Sequence, residues 1–241
     1  MAHNLPHIPL FRSTEFEGKS KRGIYGDVIE EIDAGVGRIF STLRENGLEE
    51  NTLVVFTTDN GPWLVYDSHG GSAGLLRDGK GSTFEGGMRV PTIFSWKGKI
   101  KSGIISDMGS TLDLLPTICK LTGATFPQDR KMDGYDLSGT LLNNDESPRN
   151  SMVYYWGEEI YAYRSGNYKA HFKTRERVYI NKEIETHETP LLFDLNVDPS
   201  EKYDISADHP EILEKILEEV KEHRSSVDSV ENQLIKRIKA G

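Results

Sequence analysis

Between Asp27 and Gly47 the apolar residues Val28, Ile32, Val36, Ile39 and Leu43 recur at intervals of three and four. That spacing predicts one amphipathic helix, with Gly47 ending it. The period then changes. Thr52-Leu53-Val54-Val55-Phe56-Thr57-Thr58 is a continuous β-branched and apolar run, which predicts a strand buried on both faces of a parallel sheet. It stops at Asp59-Asn60-Gly61, placing a polar pair at the carboxyl end of a strand, where open α/β sheets gather ligands. Residues 92–96 read as a second short strand, and residues 111–121 as a helix capped by Thr111 and closed by Gly123. Helix, buried strand and polar loop in succession predict an α/β fold.

The turn-rich stretch 143–150 interrupts this rhythm. Beyond it, residues 152–156, 161–164, 168–172 and 191–195 predict strands of an antiparallel sheet, with tight turns such as Ser165-Gly166-Asn167. A last helix is expected from Asp208, carrying Ile212, Leu213, Ile216, Leu217 and Val220 on one face. The expected organisation is a partial α/β domain over residues 1–142 and a smaller antiparallel-sheet and helix subdomain over residues 150–241.

Composition narrows the function. A net charge of -9 over 241 residues argues against a nucleic-acid partner, because a phosphate backbone rewards clustered Lys and Arg. The single cysteine, Cys119, excludes a disulfide framework and any multi-cysteine zinc site. It lies between Ile118 and Lys120 in an apolar helix and reads as a buried structural thiol. No run approaches the roughly 18 apolar residues of a membrane span, and the first residues lack a basic region followed by an apolar one.

Three places could carry chemistry, each with a plainer alternative. Asp59 and Asn60 offer hard oxygen donors of the kind Ca²⁺ or Mg²⁺ prefers, although an Asp-Asn-Gly tripeptide also makes an ordinary turn. Two ligands leave such an ion incomplete, so other donors must come from elsewhere. Lys80 stands in Gly79-Lys80-Gly81, a glycine-flanked loop that lets a point charge approach an oxyanion; the alternative is a solvated surface lysine. The surrounding segment 74–81 resembles a phosphate-binding loop, but Gly81 replaces the expected Ser or Thr, and Gly86, Gly87 and Pro91 argue against the helix that should follow. His7, in Pro6-His7-Ile8-Pro9, is either an exposed residue or a donor to an oxyanion or leaving group. Ser72, Ser82 and Thr83 lie in the same glycine-rich region without a Gly-x-Ser-x-Gly elbow, and His69 reads as a pocket wall or exposed group. The chain holds no self-sufficient nucleophile and base.

Taken together, His7-Ile8-Pro9, Asp33-Ala34-Gly35-Val36-Gly37, Thr58-Asp59-Asn60-Gly61, Gly79-Lys80-Gly81 and the stretch 84–91 resemble the type I sulfatase family, of the arylsulfatase A and N-acetylgalactosamine-6-sulfatase type. The segments 113–117, 164–169 and 192–201 are similar to later parts of the family, so the resemblance covers nearly the whole chain. It implies the carboxyl-terminal part of an alkaline-phosphatase-like α/β domain followed by the antiparallel subdomain. It also implies that Asp59 and Asn60 are ligands of one calcium ion, that Lys80 contacts sulfate, that His7 lies beside the sulfate oxygens or leaving group, and that Glu85 and Arg89 brace the site. The implied substrate is a sulfated small molecule or glycan, and the implied parent compartment is periplasmic, extracellular or lysosomal.

In this family a Cys or Ser in a Cys/Ser-x-Pro-x-Arg motif becomes the formylglycine nucleophile. Cys119 is followed by Lys120-Leu121-Thr122-Gly123 and does not match. The expectation is therefore an internal start at Met1, a partner in the missing amino-terminal half, and no turnover from this chain alone. Two other readings stay open: a related phosphodiesterase or phosphonate hydrolase, and a non-catalytic anion-binding protein.

Overall fold

The structure, a computed structural model, describes residues 3–228. Helix α1 spans Gly23–Glu45, and Asn46 and Gly47 close it, with Gly47 at a φ of 66° that favours glycine. At its start the buried carboxylate of Asp27 accepts backbone N–H bonds from Gly18 and Ser20 and pairs with Arg12, which pins the entering loop. Those contacts hold the Asp27 carboxyl below its usual range. Of the five apolar positions on the predicted face, Val28 is buried, whereas Ile32, Val36 and Leu43 are half-buried and Ile39 is exposed.

Strand β1, Val54–Thr57, pairs antiparallel with β2, Thr92–Ser95, as a two-stranded sheet. This corrects the expected parallel sheet with both faces covered: Phe56 and Ile93 face solvent among the described residues. A continuous apolar run reports that a strand can be buried, not which way its neighbour runs. Between the two strands lies the short helix α2, Glu85–Met88.

Helix α3, Leu114–Thr122, is preceded by a single 3₁₀ turn, Thr111–Asp113, whose cap is Ser110 rather than Thr111. Ser110 Oγ accepts from Leu112 N, and the Asp113 carboxylate accepts from Ser110 N, a reciprocal capping box. Gly123 takes the left-handed conformation after α3, and Cys119 is buried and free, both as expected. Helix α4, Ser138–Asn143, follows. Asp113 is also the hub of this region, receiving a bidentate pair from the buried Arg149 at 2.6 and 2.8 Å and a backbone bond from Tyr135.

Strands β3, Ser151–Trp156, β4, Glu159–Ser165, β5, Tyr168–Thr174, and β6, Glu185–Asp194, form an antiparallel meander in sequence order. Helix α5, Pro210–Ser226, starts two residues later than expected, with His209 as cap and Pro210 in its first turn. Its Leu213, Ile216 and Val220 pack on Ile160, Tyr163, Ala170 and Leu192 of the sheet, while Leu217 stays exposed. Among the described residues no helix is long and apolar enough to cross a membrane.

Candidate functional site

β1 delivers Asp59 and Asn60 to a loop that is locked by close backbone contacts. Gly61 N donates to Gly87 O at 3.0 Å, and a Cβ on Gly61 would stand 1.8 Å from Gly86 O. Gly86 in turn lies so near the Arg77 and Asp78 carbonyls that its own Cβ would come within 2.4 Å of both. Lys80 N donates to Pro62 O at 2.8 Å, so the strand-end loop and the Gly79-Lys80-Gly81 loop run side by side. The glycines therefore permit an approach of three backbone segments that any side chain would prevent.

This arrangement brings His7 and Lys80 together. Lys80 Nζ lies 3.2 Å from His7 Nε2, and His7 Nδ1 lies 2.7 Å from Ile8 O. A carbonyl can only accept, so Nδ1 carries the ring proton and Nε2 turns its lone pair to the ammonium. His7 is exposed and Lys80 half-buried, so both remain within reach of a ligand. Trp63 backs the pair, with the Lys80 ammonium 4.8 Å from its ring centroid and the His7 ring at 5.4 Å.

Asp59 is exposed and Asn60 half-buried; among the described residues the side-chain hydrogen bond of Asp59 is a long one of 3.4 Å from Thr58 Oγ1. Their side-chain oxygens are hard donors of the kind that suits a calcium ion, but among the described residues no group of three or more acidic, His or Cys side chains converges on one point. The residues present fit part of a coordination shell. His69 and Ser72 are exposed, whereas Ser82 and Thr83 are buried and Ser82 Oγ accepts from Phe84 N. Arg89 is exposed.

Beneath the loops lies a buried charged cluster. Lys169 donates to Glu85 Oε1 at 2.9 Å and sits 3.1 Å from Glu201 Oε1. Glu201 also accepts from Glu85 N and from His171 Nε2, at 2.6 and 2.7 Å, and Arg164 approaches Glu85 from the rim. Glu85 is 1% exposed and Lys169, His171 and Glu201 are 0% exposed, so their charges are compensated by one another and not by water. Burial pushes the His171 imidazole down to about 4 against the opposing hydrogen bond it donates to Glu201, leaving it neutral, with Nδ1 unpartnered among the described residues. Burial would lower Lys169 as well, but Tyr154, Glu85 and Glu201 hold its ammonium above the usual range. Through Glu85 this cluster fastens α2, and with it the Lys80 loop, to β5. The family resemblance implies a bracing role for Glu85 but does not name Lys169, His171 or Glu201 as its partners. In the sequence Lys169, His171 and Lys173 alternate with Ala170 and Phe172 and read as the solvent face of a half-buried strand, so the buried partners of Glu85 carried no local signal.

The sulfatase family profile matches residues 2–124, and a profile described as the C-terminal region of aryl-sulfatase matches residues 147–240. The chain belongs to the sulfatase family. Arylsulfatase A from Bos taurus is 42% identical over 231 residues, covering 90% of this chain and 45% of the relative. N-acetylgalactosamine-6-sulfatase from Canis lupus familiaris is 36% identical over 252 residues, covering 95% and 48%. The crystal structure of the PsFucS1 sulfatase from Pseudoalteromonas sp. superposes with a TM-score of 0.83 at 30% identity, over 91% of this chain and 46% of that one. This sulfatase chain thus has the fold expected of the family's carboxyl-terminal region and spans about half the length of the relatives it matches.

Proposed function

We propose that the chain supplies the sulfate-gripping side of a sulfate-ester hydrolase site, with Lys80 and His7 on the sulfuryl oxygens and Asp59 and Asn60 holding part of one calcium ion. The observation that carries this reading is the 3.2 Å contact between Lys80 Nζ and His7 Nε2, made by segments 73 residues apart in the sequence, at the strand end that bears Asp59 and Asn60. Names of relatives at 42% and 36% identity support a sulfated small molecule or glycan as substrate.

The chemistry follows from the donors. The Lys80 ammonium presents protons to an oxyanion, and its positive charge is worth most where charge grows as the S–O bond breaks. His7 can add to this only when Nε2 bears a proton, and a proton there is also placed to pass to the departing oxygen. Calcium, when bound by Asp59 and Asn60, supplies further positive charge against the sulfuryl oxygens.

No Cys/Ser-x-Pro-x-Arg segment occurs in this sequence, so the nucleophile is proposed to come from the portion of the relatives' length that this chain does not cover, and the chain alone is expected to give no turnover of an aryl sulfate. We further propose that residues 143–150 separate the site-bearing unit, 1–142, from the sheet and helix unit, 150–241.

Calorimetric titration with inorganic sulfate tests the grip without needing turnover. Lys80→Ala should weaken binding by about tenfold or more, the usual cost of losing a charged hydrogen bond, and His7→Ala should weaken it by less. Equal affinity in all three proteins would remove Lys80 and His7 from the site.

A further inference from the structure

Beside the Lys80–His7 pair stand three aromatic side chains that the proposed chemistry does not use. Trp63 lies at their centre, 4.8 Å from the Tyr66 ring and 4.9 Å from the Tyr179 ring, centroid to centroid. Tyr66 and Tyr179 remain 43% and 51% exposed, so both rings stay open to a ligand. Trp63 and Tyr66 follow the strand-end loop, whereas Tyr179 comes from the β5–β6 connection.

That connection is anchored to the Lys80 loop at three successive points. Arg77 pairs with Glu176, Asp78 Oδ2 accepts from Arg177 N at 2.9 Å, and Tyr179 touches the backbone of Gly81, where a Cβ would meet its ring at 3.2 Å. The position of Tyr179 relative to Lys80 is thus fixed by the fold rather than left to a free loop.

We infer that Trp63, Tyr66 and Tyr179 form the wall that receives the sugar ring of a sulfated pyranoside whose sulfate is held by Lys80 and His7, an inference that rests on the sulfate-binding role given to that pair. The shared neighbour is Trp63: the same indole that backs the ammonium and the imidazole carries the two tyrosines, so a ring attached to the bound sulfate lies against it. The rings meet Trp63 at interplanar angles of 71° and 55°, and so do not make the parallel slot that sandwiches a flat aryl group. An open wall edged by two phenolic hydroxyls suits a puckered ring with an apolar C–H face and hydroxyls at its rim.

The test compares four ligands on the full chain by calorimetry: inorganic sulfate, a methyl pyranoside monosulfate, the unsulfated pyranoside and an aryl sulfate. The pyranoside monosulfate should bind about tenfold more tightly than inorganic sulfate, the margin expected of ring stacking. Tyr179→Ala and Tyr66→Ala should each remove most of that margin without changing sulfate affinity, and Tyr179→Phe should keep it. Both tyrosines are exposed, and urea midpoints of the variants check that they fold. A margin that is absent, or that survives both alanine variants while sulfate still binds, overturns the wall and leaves the trio as loop packing. A larger margin for the aryl sulfate overturns the sugar assignment. Failure of inorganic sulfate itself to bind overturns the Lys80–His7 reading, and the wall with it.

Discussion

Glu201 shows how much a single side chain can hold together. Its carboxylate is fully buried, accepts from His171 and from the backbone of Glu85, and neutralises Lys169. Glu201→Ala would leave the Lys169 ammonium short of a partner in a dry interior, a change that costs about 3–5 kcal/mol. Urea unfolding should show that loss, with Glu201→Gln losing less because the amide oxygen can still accept. His171 makes the stability depend on pH. Its folded-state pKa, about 4, lies below the ordinary value of 6.5, so the unfolded chain binds the proton more readily. The stabilisation is present above pH 6.5 and is lost as the pH falls towards 4, by about 3 kcal/mol at the limit. Glu201, whose carboxyl is held below its usual range by His171 and Lys169 against the effect of burial, shifts stability in the same direction. Unfolding midpoints measured from pH 7 to pH 4 should therefore fall, and the slope should shrink in His171→Gln.

At the scale of elements, the site depends on loops that cross closely. Gly86 in α2 stands against the carbonyls of Arg77 and Asp78, and the chain also donates Gly86 N to Arg77 O at 2.8 Å. Gly86→Ala places a methyl group where backbone already lies, so α2 must shift and carry the Lys80 loop with it. We expect about 1–3 kcal/mol of lost stability, as for other overpacked sites, together with weaker sulfate binding although no ligand-contacting residue has changed; an unchanged thermal midpoint would contradict the packing. The same elements show what the sequence made legible. The period of α1 and its Gly47 stop, the tight turn at Ser165-Gly166-Asn167 and the apolar face of α5 could all be read, because each is set by local geometry. The antiparallel pairing of β1 with β2 could not, because pairing direction is not written in either strand alone. Nor could the wall of Trp63, Tyr66 and Tyr179, whose members lie up to 116 positions apart and meet only after the β5–β6 connection folds back.

Across the whole molecule, polar contacts tie the segments around α2 and α3 to the four-stranded sheet and the segments flanking it: the buried Asp113–Arg149 pair, the Glu85–Lys169–Glu201 cluster and the contacts of Arg77 and Asp78 with the β5–β6 connection. The bond from Lys80 N to Pro62 O sets the Lys80 loop beside the loop that follows Asp59 and Asn60, and Lys80 in turn meets His7. His7, Lys80, Asp59 and Asn60 were all legible as candidates from residue type and loop context. The contact of His7 with Lys80 was not, since the two lie 73 residues apart. The most direct measurement of the central claim is nitrogen-15 NMR of the imidazole and lysine side chains during a sulfate titration. Among seven histidines, the His7 ring signals should move with sulfate in step with those of Lys80, and Lys80→Ala should abolish the movement. Sulfate-dependent shifts that leave His7 and Lys80 still and move other residues would contradict that claim.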